Sequence, residues 1–428
     1  MRFILFLLNS LVCLFIAVPY MGHAAELKYE NYVYDDLVET VLLSTNTSEY
    51  NPLPVMHLGM VNALRLSFDK LLASNEFYQY SFVHCDAGWK PSRLQVSEYI
   101  EGNTLEDVAN FTFSSNTFQQ YVQYQLVFPK ATMQPIKSGN YLLKIFRNFD
   151  ETDLVLTRRF MVVEELTSLS GDVKPATNPK DRFYKQEVDF EVDYENYQIQ
   201  NPFNDVNAVI LQNNSWQNAI YNLKPLFVNN NRLIFNYEDQ NLFDGTNEFR
   251  FFDIRTLRFF SSNVINKFTD SLVNVVLRAE QLKSHLAYTQ FIDYNGKRVI
   301  QNTDGLDVTK NGDYAMVHFT LKSGHKLKVG DVYVYGELTD WRMMEKYKMD
   351  YVEATGSYYL KSKLKQSYYN YHFVVKDSIT GKIAYDFTEG NHFETENDYT
   401  ILIYHTDLFY GYDRLIGTKS TNTAEIRN

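Results

Sequence analysis

Short alternating runs rich in Tyr, Phe, Val, Ile and Leu recur along the chain, separated by clusters of Asn, Asp, Gly, Pro and Ser. An extended strand turns successive side chains to opposite faces, so such alternation marks half-buried β-structure. Tyr121 to Phe128, Tyr141 to Phe146, Leu154 to Val163, Val188 to Tyr194, Val206 to Gln212, Leu233 to Tyr237, Val273 to Leu277, Val332 to Gly336 and Tyr399 to Tyr404 all read this way. Apolar residues at helical spacing are scarce, and the better helical candidates, Leu94 to Glu101 and Leu105 to Asn110, are short. The pattern predicts an all-β chain of tandem, immunoglobulin-like β-sandwich domains with few short helices.

Turn residues punctuate this pattern. Asn295-Gly296 lies between Phe291-Ile292 and Val299-Ile300 and predicts a tight hairpin, because both central residues of such a turn take positive φ. Ser138-Gly139-Asn140 leads into the strand beginning at Tyr141. The stretch Gly171 to Arg182 is rich in Gly, Pro, Asn and mixed charge, and a softer break falls near 281 to 287. The expected division is an export signal over residues 1–25, then sandwiches over 26–165, 166–285 and 286–428.

Arg2, the apolar stretch Phe3 to Val18 and the small residues Gly22, Ala24 and Ala25 have the pattern of a cleavable secretory signal. The stretch is shorter than the ~20 apolar residues that usually span a bilayer, and no other segment is longer, so no direct membrane span is expected. The residues before Cys13 do not form a lipid-attachment motif.

Removing the signal takes Arg2 away, so Lys and Arg fall from 41 to 40 against 52 Asp and Glu, and the net charge moves from −11 to −12. That balance disfavours nucleic acid as a partner. Cys85 is then the one cysteine left, with no partner for an internal disulfide, and it lies in an alternating stretch as a small buried thiol.

The search for catalytic chemistry is negative. The chain has no His-Glu pair at zinc-protease spacing, no paired CxxC, no GxSxG and no GxGxxG after a strand, and it points to no cofactor. Asp304, Asp307, Asn311 and Asp313 lack the ligand spacing of a calcium loop and read as turn residues. His84, His318 and His372 fall in alternating strands, where packed imidazoles are expected. Glu248 with Arg250, and Asp253 with Arg255, read as ion pairs of a sheet.

The last third carries a strand ending at Gly336, the pair Asp340-Trp341, and the alternating Tyr369, Tyr371, Phe373 and Val375. This arrangement resembles the glycogen-binding, early-set β-sandwich family, departing from it at His372, where that family has Lys, and in lacking a second Trp between Lys376 and Lys382. The resemblance implies the fold and raises a glycan as an alternative ligand for Trp341 in this C-terminal sandwich.

A wider resemblance runs through nearly all of the chain after the signal. Its residues are Leu66-Ser67-Phe68-Asp69, His84-Cys85-Asp86 with Trp89 and Ser92, Ser114 to Thr117 with Tyr121 and Tyr124, Ser138 to Tyr141, and Thr157 to Phe160. They continue through Gln212-Asn213 with Trp216, Asn247 to Arg250, Phe252 to Arg255, Gly336 with Asp340-Trp341, Glu394 to Tyr399 and Asp413 to Gly417. Over these residues the chain resembles the plug protein family of the type IX secretion system of Bacteroidota. The resemblance implies a periplasmic, non-enzymatic protein that reversibly closes the periplasmic mouth of the giant outer-membrane translocon barrel when no client or shuttle protein occupies it. The ending from Asp413 also resembles that family's own rather than a client's sorting domain. Trp89 and Trp341, two of the three tryptophans and both in loop-like settings, are the candidate partner-binding residues.

Overall fold

The computed structural model describes residues 26–46, 53–407, 409 and 411–424; the expected signal lies outside them. The described chain is all-β: its strands build three two-sheet sandwiches, and its α-helices are the four-residue turns Val96–Tyr99, Pro202–Asp205 and Val308–Asn311.

In the first sandwich, Tyr32–Val33, Asp150–Val163, Gly139–Arg147, Tyr78–Cys85 and Glu106–Asp107 form one sheet, with Val55–His57 running parallel to 161–163. Val38–Thr45, Leu64–Lys70, Val122–Phe128 and Asn110–Phe113 form the other. The alternation seen in the sequence sorts directly into faces. Leu64, Leu66, Phe68, Val122, Tyr124, Leu126 and Phe128 point inward against Tyr80, Phe82, Tyr141, Leu143 and Phe160, and each such side chain contributes about 1.5–3 kcal/mol by leaving water.

The middle sandwich packs Ser168–Pro175, Lys185–Asp193, Arg232–Phe235 and Phe227–Asn229, with Leu242–Asp244, over Ser215–Leu223, Val206–Gln212, Asp398–Asp407 and Tyr412–Asn422. In the third, a sheet centred on Tyr368–Asp377 carries Arg250–Asp253, Arg298–Val299, Gly330–Tyr335 and Ile383–Ala384. It faces a sheet of Val264–Thr269, Val273–Leu277, Tyr314–Lys322, Ser357–Lys365 and Asp350–Val352, with Glu280–Gln281 beside Tyr314–Lys322.

Hydrogen bonding groups the strands otherwise than a cut at 285/286 would. Arg250–Asp253 and Val273–Leu277 pair into the third sandwich, with Tyr368–Tyr371 and Ala315–His318 respectively. The last hairpin returns to the middle sandwich, where Asp398–Asp407 lies beside Val206–Gln212 in full register. Polar, Gly- and Pro-rich stretches mark loops, and a loop does not specify which strand its neighbour will pair with.

Two local expectations meet different fates. Leu94 to Glu101 does contain a helical turn, Val96–Tyr99, but Leu105 to Asn110 is extended, because Glu106 and Asp107 pair with Tyr80 and Gln79. Asn295 and Gly296 do take positive φ, 49° and 79°, and Lys297 donates to the Tyr294 carbonyl at 3.1 Å. No hairpin follows, because Arg298–Val299 pairs with Tyr369 and Tyr368 instead. Gly296 is needed here for a second reason: a Cβ at this position would come within 2.3 Å of the Trp341 ring.

Candidate functional site

The residues that seemed scattered along the chain converge on the seams where the three sandwiches meet. At the seam between the first and middle sandwiches, Asp86 accepts from the backbone N–H of Gly88 and Lys90, closing a tight turn that holds Trp89 at φ 66°. The turn aims the indole inward. It stands edge-on to Trp216 at 5.0 Å, and the Arg159 guanidinium lies over the Trp89 ring at 4.4 Å and over Trp216 at 5.2 Å.

Around this pair, Leu142, Met161, Leu211, Leu402, Tyr404 and Leu415 form a core shared by both sandwiches, with the Cys85 thiol buried in it. Burial pushes that thiol up to about 12, so it is a packed hydrophobe and not a nucleophile. The Tyr404 hydroxyl donates to Asn140, Asn140 donates to the Asp86 carbonyl, and the Ala87 N–H donates to Asp413.

Between the first and third sandwiches the contact is ionic. The Lys365 ammonium meets Asp69 at 2.7 Å, and the Tyr314 hydroxyl donates to the same carboxylate oxygen at 2.7 Å while lying 2.7 Å from the Thr40 hydroxyl. Lys365 also sits 4.1 Å over the Tyr121 ring. Thr40 has φ 51°, an uncommon conformation for a β-branched residue, at a bulge in Val38–Thr45. Further along this seam Arg158 donates to Asp340 at 2.9 Å, and Arg298 donates to the Val41 carbonyl at 2.7 Å.

Trp341 follows Asp340 at φ 55° and packs on Tyr335 and Phe249 at 5.6 and 6.0 Å. The middle and third sandwiches are joined near it by Lys297 with Asp398 at 2.8 Å and by the hydroxyls of Ser215 and Tyr335 at 3.3 Å.

Both candidate partner residues are thus in turns, as their sequence setting implied, but their rings face inward. Trp89 is 2% exposed and Trp341 9% exposed. A sugar platform or a docking anchor needs an open ring face, and in this conformation neither indole offers one.

The remaining sequence candidates have structural partners. Asp307 caps Val308–Asn311 through the Thr309 N–H, Asp304 accepts from Thr256, and Asp313 accepts from the N–H groups of Phe118 and Gln119. Arg250 pairs with Glu389 and Glu280, Arg255 pairs with Asp253, and Glu248 accepts from Tyr288. His84 bonds the Ser138 carbonyl and His372 the Asn247 carbonyl, and burial pulls both imidazoles down to about 4. His318 lies between Tyr359 and Asn274.

What the sequence did not single out is a set of outward-facing phenylalanines. Phe77, Phe149, Phe183, Phe259 and Phe260 are all exposed. They sit in turn-rich stretches like those holding the two inward-facing tryptophans, so composition gave no signal to tell the two groups apart.

No curated protein matches the chain. The crystal structure of a hypothetical protein from Parabacteroides merdae superposes with a TM-score of 0.88 at 28% identity, over 93% of this chain and 100% of that one. Residues 38–164, which hold Asp69, Trp89, Tyr121, Asn140 and Arg158, match the family model of the type 9 secretion system plug protein 1st domain. Over its first sandwich the chain thus matches the type 9 secretion system plug protein family.

Proposed function

We propose that the protein acts in type IX secretion as a reversible periplasmic plug, occupying the opening of the outer-membrane translocon when neither client nor shuttle protein does. Export would be by the signal over residues 1–25. The observation that carries the reading is the joining of three sandwiches into one body by buried contacts on every seam, in a chain whose first domain is of the plug family. A body that occludes an opening must keep its shape under load, and buried ion pairs and shared cores hold the sandwiches at fixed angles. No helix among the described residues is long and apolar enough to cross a membrane.

Exposed Phe77, Phe149, Phe259 and Phe260 offer apolar contacts to a rim. The chain carries more acidic than basic residues, 52 against 41, and a partly polar interface suits release on demand.

The test is affinity capture of the tagged chain from gently solubilised cell envelopes, with co-purifying proteins identified by mass spectrometry. Recovery of the large translocon barrel without client supports the plug. Recovery of background alone, from cells in which the translocon is abundant, rejects it.

A further inference from the structure

The third sandwich covers only part of the outer face of the sheet formed by Val38–Thr45, Leu64–Lys70, Val122–Phe128 and Asn110–Phe113. It closes on Asp69, and beside that contact a cleft of 640 Å³ separates the two bodies, within the range of ordinary ligand sites. Strand register puts Ser44 beside Arg65, Ser67 beside Gln125 and Asp69 beside Gln123, all on the face turned away from the core. One wall of the cleft is therefore a polar lattice of Ser44, Arg65, Ser67, Gln123 and Gln125. None of these five side chains bonds to another described residue.

Arg65 is half-buried on this wall with no carboxylate against it among the described residues. A guanidinium so placed is matched by an anion, best by a carboxylate taken in bidentate fashion. The opposite wall supplies Ile292, Tyr294, Val299 and Ile300.

Two features choose the ligand. Arg65 and Ser67, and likewise Gln123 and Gln125, are two residues apart on their strands, a spacing of roughly 6.6 Å that equals the two-residue repeat of an extended chain. Of the two aromatic rings lining the cleft, Tyr368 is already occupied: it stacks on Phe251 at 5.5 Å and carries Arg255 at 5.6 Å, with Tyr294 edge-on at 5.3 Å. A sugar would find neither face of Tyr368 open, whereas an extended peptide finds hydrogen-bonding groups at its own period and aliphatic contacts opposite.

We propose that this cleft binds an extended peptide segment bearing an acidic side chain, with Arg65 holding the carboxylate and Gln123 and Gln125 meeting the peptide backbone. The site stands apart from the plug reading and does not depend on it.

The experiment is fluorescence anisotropy with the full mature chain and two labelled hexapeptides, Thr-Val-Thr-Asp-Thr-Val and the same sequence with Asn in place of Asp. The Asp probe is expected to bind at least about tenfold tighter, the range of a charge-assisted hydrogen bond. Arg65→Met removes that preference, and Gln125→Leu weakens both probes. Ser67→Glu, which sets a carboxylate beside Arg65, weakens the Asp probe selectively. These side chains make no hydrogen bonds or ion pairs to described residues, so the variants are expected to melt with the wild type. Equal binding of the two probes, no saturable binding of either, or a preference that survives Arg65→Met overturns the proposal. Saturable binding of trigalacturonate in place of either peptide also overturns it, in favour of a sugar.

Discussion

Asp69 and Lys365 stand 296 residues apart in the chain and 2.7 Å apart in the fold, with side chains 1% and 0% exposed. Their pairing joins the outer face of the first sandwich to the inner edge of the third. A buried charge whose partner is removed keeps its full desolvation cost. Lys365→Met is therefore expected to destabilise the protein by about 3–5 kcal/mol, measured by chemical denaturation, while the double variant Asp69→Leu, Lys365→Met recovers most of that loss. If the double variant is as unstable as the single one, the pair is not the source of the effect.

Trp89→Ala opens a cavity in the core shared by the first and middle sandwiches and removes the ring under Arg159. The expected cost is about 3–5 kcal/mol, seen as a lower melting temperature. Capture of partners should fall only in proportion to the folded fraction. A well-folded Trp89→Ala protein that no longer recovers its partner would return the indole to the role of a contact residue.

Phe259 and Phe260 are 70% and 65% exposed. Replacing both with Ser is expected to leave stability within about 0.5 kcal/mol, as for other surface changes, and to reduce recovery of the translocon in the capture assay. Unchanged recovery would move the contact surface to another of the exposed phenylalanines.

The Asp293 carboxyl, raised to about 7 by burial with Glu248 and Glu396 nearby, accepts from the N–H groups of Asn295 and Phe249. A group protonated more readily in the folded than in the unfolded state contributes stability that is complete below the unfolded pKa and is lost as the folded pKa is passed. Its contribution should therefore decline between the ordinary carboxylate value of 3.8 and about 7. Asp293→Asn, followed by thermal melts across that window, is expected to flatten the decline.

His84 and His372 act in the opposite sense. Burial lowers both from 6.5 to about 4, so the unfolded chain takes up protons before the folded one. The stability they contribute is present above 6.5 and falls as the pH drops toward 4. Melts of His372→Gln, which can keep the bond to the Asn247 carbonyl, should show a shallower loss on acidification than the wild type.

Alternation of apolar and polar residues is a local property, so the inward faces at Val122, Tyr124, Leu126 and Phe128 and at Tyr141, Leu143 and Ile145 were legible from the sequence, and with them the all-β class. Turn chemistry was legible for the same reason, since the positive φ of Asn295 and Gly296 follows from their own side chains. Pairing is not local. Tyr399 to Tyr404 reads as a strand anywhere, and only its fit beside Val206–Gln212 takes it back to the middle sandwich. The direction in which a turn aims its side chain is likewise decided by what it packs against: Trp89 and Trp341 face seams and Phe259 faces solvent, though all three are large apolar residues outside the strands. Asp69 and Lys365, and Arg158 and Asp340, each look like ordinary surface charge in sequence. They become partners because three sandwiches, each with one core of its own, bury polar residues of their outer faces when they pack together, and a buried charge requires its counterpart.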